Sequence, residues 1–335
     1  MNLVTGATGI IGSHVVLKLL QNNKPVIACK QKSSNINKTK QLFGFYNQSH
    51  LFEKIVWKDI DICDIFSIEE ALEGVTTVYH CAGLVSFNRK DRKKLFLLNE
   101  TGTANVVNAC IEKKIKALCH VSSISTINNS DYKEALHENI FWKTNGKESD
   151  YAISKYNGER EVWRGIEEGL NAVIVNPGIV LSPGFWNQSS SRLFKKCYQG
   201  NSFYTDGITG YVSAKDTAEA MIQLVEKNHF ANRYILIEGN YSFETILNLI
   251  STGLSKRKPT IHAGKTLLQF GRILDFILSR FTGREQILTK SFIHSALHKK
   301  PYLNTKIKDT LSLKFSPIEA EIKEICDILV KTPPF

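Results

Sequence analysis

The chain lacks any run of the roughly 20 uncharged apolar residues that a membrane-spanning helix needs, which excludes an integral span. Room for a signal peptide is missing too, because the N-terminus enters a short apolar strand at once, and the expected location is cytoplasmic. Paired cysteine spacing is absent. Cys29, Cys63, Cys81, Cys110, Cys119, Cys197 and Cys326 stand singly, several within apolar patterns, and read as small buried thiols, neither a disulfide framework nor zinc ligands. The nine histidines are scattered, so no metal site is expected. Acidic residues are in the minority, 32 against 43 Lys and Arg, for a formal charge of +11. Residues 256–331 hold 15 Lys and Arg against 7 Asp and Glu, which supplies +8 of it. Those bases are spread among apolar helix positions without aromatic interleaving or a nucleic-acid reader motif. A solvated basic face, helped by an anionic cofactor or substrate, accounts for them better than nucleic acid does. Internal repeats and low-complexity segments are also absent.

What is present is enough apolar sequence for a full core. The 335 residues, 42% hydrophobic, can hold one large or two modest domains. Apolar strand candidates at Leu3 to Thr5, Val26 to Cys29, Lys54 to Trp57, Thr77 to His80, Ala117 to Ser122 and Ala172 to Asn176 alternate with helical patterns. Alternation of this kind predicts an α/β fold, a Rossmann-type doubly wound parallel sheet. After Pro177-Gly178 the pattern loosens. A smaller, mainly C-terminal substrate lobe is expected over residues 177–335, following a dinucleotide-binding domain over 1–176. A strand near 233–238 is expected to return to the sheet, making the lobes discontinuous in sequence.

Two motifs point to chemistry. Val4-Thr-Gly-Ala-Thr-Gly-Ile-Ile-Gly12 bends from a strand into a helix, and its spacing is Gly-x-x-Gly-x-x-Gly. Glycines there let backbone N–H groups at a helix start approach a pyrophosphate, so Gly6, Thr8, Gly9, Ile10, Ile11 and Gly12 form the expected cradle. Tyr151 and Lys155 are four apart on an expected helix capped by Ser149, so both side chains leave one face. A free phenol titrates at about 10, too high for a general base at neutral pH; a nearby ammonium and an oxidised nicotinamide both favour the phenolate. Lys155 can also hold ribose hydroxyls. Val121-Ser122-Ser123 ends a strand upstream and offers a hydroxyl for the substrate oxygen, Ser123 by choice and Ser122 as fallback. Together these point to nicotinamide chemistry. An NAD-selecting site places an acid about 20 residues beyond the glycine turn. Cys29-Lys-Gln-Lys-Ser33 has none, and Lys30, Lys32 and Ser33 could meet a 2′-phosphate, so NADP is preferred over NAD; two merely solvated lysines are the bland alternative.

The chain resembles the extended short-chain dehydrogenases/reductases, also called the NAD-dependent epimerase/dehydratase family, along essentially its whole length. The likeness lies in Thr5-Gly-Ala-Thr-Gly-Ile-Ile-Gly12, His80-Cys-Ala-Gly83, Asn99-Glu-Thr-Gly-Thr-Ala-Asn105, Val121-Ser-Ser123, Tyr151-x-x-x-Lys155 and Asn176-Pro-Gly178. The resemblance implies a triad of Ser123, Tyr151 and Lys155, with Cys81, Ala82 and Gly83 lining the cofactor. It also implies that Asn99 steadies the active-site helix, that Asp61 and Ile62 meet the adenine and that Pro177 lies against the nicotinamide. Leu288-Thr-Lys290, Asn304-Thr-Lys306 and Phe315-Ser-Pro317 are similar to the branch of dihydroflavonol reductases, aldehyde or ketone reductases and 3β-hydroxysteroid dehydrogenases. Cys81 stands where that family usually has alanine, and Gln31 where arginine is common.

The implied activity is an NAD(P)-dependent oxidoreductase moving a hydride between the nicotinamide and a carbonyl or secondary alcohol. A nucleotide-sugar epimerase with tightly held NAD and a non-catalytic dinucleotide sensor are the alternatives. Ile124 and Ser125 follow Ser123 where sugar-nucleotide dehydratases of the family carry an acidic pair, which disfavours dehydration. The expected partner is a small-molecule substrate, with a homodimer open. Thr266 to Phe281 is a strongly apolar helix, by pattern a core or dimer surface; the likeness to steroid dehydrogenases adds a membrane contact or substrate lid. The loop from Ile124 to Glu148, with His137, Glu138 and Trp142, follows the serine strand and is a candidate cover for substrate. Asp216 is expected to cap the helix that follows it.

Overall fold

In the computed structural model, residues 1–128, 134–144, 146, 148–282, 286, 288–299 and 301–333 are described. The first half winds through β1 (Asn2–Thr5), β2 (Val26–Lys30), β3 (Val56–Asp59), β4 (Thr77–His80), β5 (Ala117–Val121) and β6 (Ala172–Pro177). The second half adds β7 (Ile179–Leu181), β8 (Phe203–Tyr204), β9 (Ile208–Ser213), β10 (Asn232–Leu236), β11 (Gly239–Ser242) and β12 (Ile261–His262). The main sheet has the order β10-β6-β5-β4-β1-β2-β3, every neighbouring pair parallel. Winding runs outward in both directions from the β1–β4 pair. Such a switch point leaves a crevice at the carboxyl ends of those two strands, where the chain departs to opposite sides.

Strand side chains alternate between two covered faces, as the two-residue period of a strand requires. Val4, Ala28, Tyr79, Cys119 and Val173 pack under Val15, Val16 and Leu19 of helix Ile10–Gln21 and Met221 and Leu224 of helix Ala214–Glu226. Their neighbours Leu3, Ile27, Val78, Leu118 and Ile174 face Ile68, Val106, Val107 and Val162 on the other side. Each fully buried side chain of this size contributes about 1.5–3 kcal/mol relative to exposure. A separate cluster joins Leu181, Phe194 and Tyr211 to Ile246, Ile250, Ile318, Ile322 and Leu329, under the small sheet β11-β9-β7.

Several local readings shift. β3 starts at Val56, not Lys54, because the turn of helix Ser49–Phe52 takes the amides of Lys54 and Ile55 to Leu51 and Phe52 carbonyls. Helix Arg92–Phe96, held by fully buried Leu95, passes through a π-helical turn, Leu97–Thr101, into Gly102–Glu112, so the motif residue Asn99 lies in the π-helical turn. Ser213, not Asp216, caps helix Ala214–Glu226, accepting from the Asp216 amide at 2.9 Å. The Asp216 carboxylate instead accepts from the backbone and hydroxyl of Ser316 at 2.7 and 3.1 Å, tying down the chain before the last helix. Helix Lys265–Thr282 is not a core helix, since only Leu268 and Asp275 of it are buried. Among the described residues, no helix is long and apolar enough to cross a membrane.

Candidate active site

The glycine turn sits at the switch point and is closed on itself. Gly6 has φ +63°, and a Cβ on it would meet the Ala82 backbone at 2.7 Å; a Cβ on Gly12 would stand 2.3 Å from the Gly6 carbonyl. Gly9 precedes helix Ile10–Gln21 without a side-chain cap. The first intrahelical bond runs from the Ser13 amide to the Gly9 carbonyl at 3.0 Å, so the amides of Ile10, Ile11 and Gly12 precede it as the unpaired donors of a helix start. A glycine-lined, uncapped helix N-terminus in a crevice suits an anionic diphosphate by hydrogen bonding and by the helix dipole.

The segment after β4 links this turn to the rest of the crevice. Ala82 N–H donates to Thr5 Oγ1 at 3.1 Å, and Thr5 Oγ1 meets His80 Nδ1 at 2.8 Å. Gly83 is packed so that a Cβ would lie 3.0 Å from Asn99 Oδ1 and 3.7 Å from Lys155 Nζ. Asn99 accepts from the Leu84 amide at 2.7 Å and donates to Ser154 Oγ at 2.9 Å, so it ties the post-β4 segment to helix Asp150–Glu167. Its π-helical setting lets Gly158 approach, where a Cβ would stand 2.0 Å from the Asn99 carbonyl. Burial pushes the Cys81 thiol up to about 12, against the pull of Lys155, so it stays neutral beside that lysine.

Ser123, Tyr151 and Lys155 converge at the ends of β5 and β6. Ser149 caps the helix start by accepting from Ala152 N–H at 3.1 Å, and this fixes the first turn that carries Tyr151. The Ser123 hydroxyl, which accepts from the Ser125 amide and hydroxyl at 3.2 and 3.0 Å, draws the Tyr151 pKa down, but burial is the larger effect and holds the phenol above its ordinary value of 10.0. Lys155, 5% exposed, donates to the Val121 carbonyl at 2.7 Å; burial lowers it to about 8, opposed by Glu159 and Cys81. Ser122 is committed elsewhere, donating to Glu159 Oε2 at 2.6 Å. The Phe87 ring meets Tyr151 edge-on at 5.8 Å. Pro177 is buried at the end of β6, paired with Leu236.

At the other end of the crevice, Gln31, Lys32, Ser33, Asp59, Ile60, Asp61 and Ser67 line a cleft of about 620 Å³. Lys30 forms an ion pair with Asp59, an acid that β3 brings beside the end of β2. Asp61 accepts from the Cys63 amide at 2.9 Å. Ile62 is buried against Gly102, where an added Cβ would lie 2.7 Å from its Cδ1.

Sequence reasoning missed the polar core behind the triad. Glu159, 1% exposed, accepts from Ser122, from Thr126 Oγ1 at 2.8 Å, from Asn176 Nδ2 at 2.9 Å and from Arg233 at 2.9 Å. Its signal was a charge at i+4 from Lys155 on the face that turns inward. The His80 and His120 rings lie 5.1 Å apart, tilted by 32°, both held neutral by burial, with Lys155 lowering them further. In the loop after Ser123, Glu138 accepts from the Ile235 amide at 2.9 Å and Trp142 stacks on Tyr156 at 4.5 Å; residues 129–133, 145 and 147 lie outside the described residues. His137 accepts from the Asn139 amide at 3.3 Å. The His294 and His298 rings lie 5.7 Å apart at a tilt of 36°, but no group of three metal-ligating side chains occurs among the described residues.

A parallel doubly wound sheet with a glycine-lined helix start at its switch point defines a Rossmann-type dinucleotide-binding enzyme. The sequence model of the NAD dependent epimerase/dehydratase family matches residues 2–236, and the chain belongs to that family. It is similar to cinnamoyl-CoA reductase 2 of Medicago truncatula, 25% identical over 330 residues covering 94% of this chain and 87% of that protein. In fold it is similar to UDP-glucose 4-epimerase of Thermotoga maritima, with a TM-score of 0.79 at 18% identity over 99% of both chains. It is also similar to yeast methylglyoxal/isovaleraldehyde reductase complexed with NADPH, with a TM-score of 0.75 at 18% identity over 99% of this chain and 98% of that one.

Proposed function

We propose that the protein is an NAD(P)-dependent reductase of a carbonyl substrate, with Ser123, Tyr151 and Lys155 as its catalytic residues. The observation that carries this reading is the meeting of Ser123, Tyr151 and Lys155 at the strand ends beside the glycine turn, with Lys155 donating to the Val121 carbonyl and burial holding the Tyr151 phenol above its ordinary value. A phenol held above 10.0 keeps its proton at neutral pH and suits a general acid, the role that carbonyl reduction needs. Ser123 Oγ then orients the substrate oxygen, and Tyr151 Oη gives it the proton that completes the alcohol. Lys155 keeps positive charge behind the phenol and locks the end of β5 through the Val121 carbonyl. The bound reduced nicotinamide supplies the hydride. Gly6, Thr8, Gly9, Ile10, Ile11 and Gly12 would hold its diphosphate, Asp61 and Ile62 its adenine, and Cys81, Ala82, Gly83 and Pro177 its remaining length. Ser123 is favoured over Ser122 because the Ser122 hydroxyl is already given to Glu159.

NADP(H) is the proposed preference. Lys32 and Ser33 line the cleft beside Gln31 and can pair with a 2′-phosphate, while Lys30, already facing Asp59, contributes less. The expected partner is a small aldehyde or ketone, in a cytoplasmic setting. The similarity of the cinnamoyl-CoA reductase over nearly the whole chain supports reduction over epimerisation.

The test is to supply the purified protein with NADPH or NADH and a panel of aldehydes, ketones and sugar nucleotides. Substrate-dependent loss of nicotinamide absorbance, faster with NADPH, is the expected result. Epimerisation of a sugar nucleotide without added cofactor would overturn the reading.

A further inference from the structure

Helix Lys265–Thr282 faces the wrong way for a globular protein. Leu267, Phe270, Ile273, Leu274, Ile277 and Phe281 fall within one arc of about 120° at 100° per residue. All six are between 42% and 84% exposed, with Phe281 the most open. The helix is attached by the opposite edge. Leu268 joins Ala263 and Ile293 in a small cluster, and Asp275 accepts from the Leu288 amide at 2.8 Å. Asp275 is the only carboxylate on the helix and is buried, while Arg280 is exposed at the edge of the apolar arc and Lys265 is exposed in the first turn. An apolar stripe of this size left in water would be a liability unless something covers it.

We propose that this face docks on an anionic lipid surface, with the helix lying in the plane of the interface. An exposed apolar arc with Arg280 at its edge and no outward acid is the pattern of an interfacial amphipathic helix. The surrounding segment, residues 256–331, carries a net +8, so the whole region is drawn to negative headgroups. A second copy is disfavoured by the same charge, because pairing the two faces would bring two net-basic segments together. Because it lies outside the candidate site, this docking is independent of the proposed reduction.

Flotation of the full-length protein with vesicles of phosphatidylcholine mixed with phosphatidylserine, and of phosphatidylcholine alone, tests this. Binding is expected to the mixed vesicles and to fall steeply as salt rises. A Phe270→Ser, Leu274→Ser, Phe281→Ser variant, altered only at exposed positions, should remain in the unbound fraction with unchanged circular dichroism. A Lys265→Glu, Arg280→Glu variant should lose about tenfold or more in partitioning to the mixed vesicles at low salt. The parent failing to float with the mixed vesicles would overturn the proposal, as would equal binding to both vesicles. A parent dimer in sedimentation velocity that the triple variant dissociates, without vesicle binding, would assign the face to a second copy and also overturn it.

Discussion

Arg233 donates to Glu159 at 2.9 Å, joining a returning strand to the helix that carries Tyr151 and Lys155. The pair is 14% and 2% exposed, and the other guanidinium nitrogens donate to the carbonyls of Glu138 and Ile140 at 2.7 Å. Through Glu159 the same contact reaches Ser122, Thr126 and Asn176, whose amide also donates to the Ser123 carbonyl at 3.2 Å. The strand end that presents Ser123 is therefore fixed from behind by one buried carboxylate.

Removing one member of that pair leaves the other charge buried. Arg233→Met should destabilise the protein by about 3 kcal/mol, within the 3–5 kcal/mol range for breaking a buried ion pair, and lower turnover as the Ser123 strand end loosens. Urea denaturation of the parent and the variant reads the first effect. A midpoint unchanged by the substitution would show that Glu159 is neutralised by its hydroxyl and amide donors alone.

The glycine turn separates folding from binding. Gly9 has φ −90° and ψ 173°, a backbone that valine adopts readily, with a Cβ 3.3 Å from the Gly6 carbonyl. Gly9→Val should leave the melting temperature nearly unchanged and abolish dinucleotide binding, because its side chain would occupy the phosphate approach. Calorimetric titration with NADPH checks this. Affinity equal to the parent's would place the diphosphate elsewhere.

Lys155 sets the expected pH dependence. Its pKa is depressed from 10.5 to about 8, so the ammonium is present below about pH 8 and lost above it. The rate of reduction should be level at neutral pH and fall by one proton's dependence as pH rises through about 8, while Tyr151 remains protonated. Lys155→Ala should remove that descent, slow turnover and weaken cofactor binding. A parent profile that stays level to pH 10 would mean that the charge on Lys155 is not used.

Cofactor choice rests on the end of β2. Lys32→Ala should weaken NADPH binding while leaving NADH nearly unchanged, and Lys30→Ala should do less because Asp59 already faces that ammonium. Titrating both variants and their double combination with both dinucleotides distinguishes the contributions. Equal losses for NADPH and NADH, or a parent that prefers NADH, would reverse the assignment.

Local pattern made the main sheet readable, since strands buried on both faces appear as short apolar runs between helices. Thr77–His80 carries that signal without ambiguity, and the two glycine neighbours of β1 and β4 mark their own crevice. Long-range pairing left no such trace. Arg233 and Glu159 are 74 residues apart, and Asp59 reaches Lys30 only because β3 lies beside β2. The start of helix Arg92–Phe96 was hidden in a basic run, and the π-helical turn at Asn99 exists for the close approach of Gly158, which no periodicity records. In Lys265–Thr282 the apolar stripe was plain. Which side of it faces the protein depends on Leu268 and Asp275, and neither stands out in the pattern.

The most direct measurement compares Tyr151→Phe with the parent in single-turnover carbonyl reduction, with NADPH affinity measured alongside. The substitution removes one oxygen and keeps the ring against Phe87, so the fold and cofactor affinity should survive. The rate should fall by about 10² to 10⁴, the contribution of a positioned general acid. An unchanged rate would contradict the assignment of Tyr151 as proton donor.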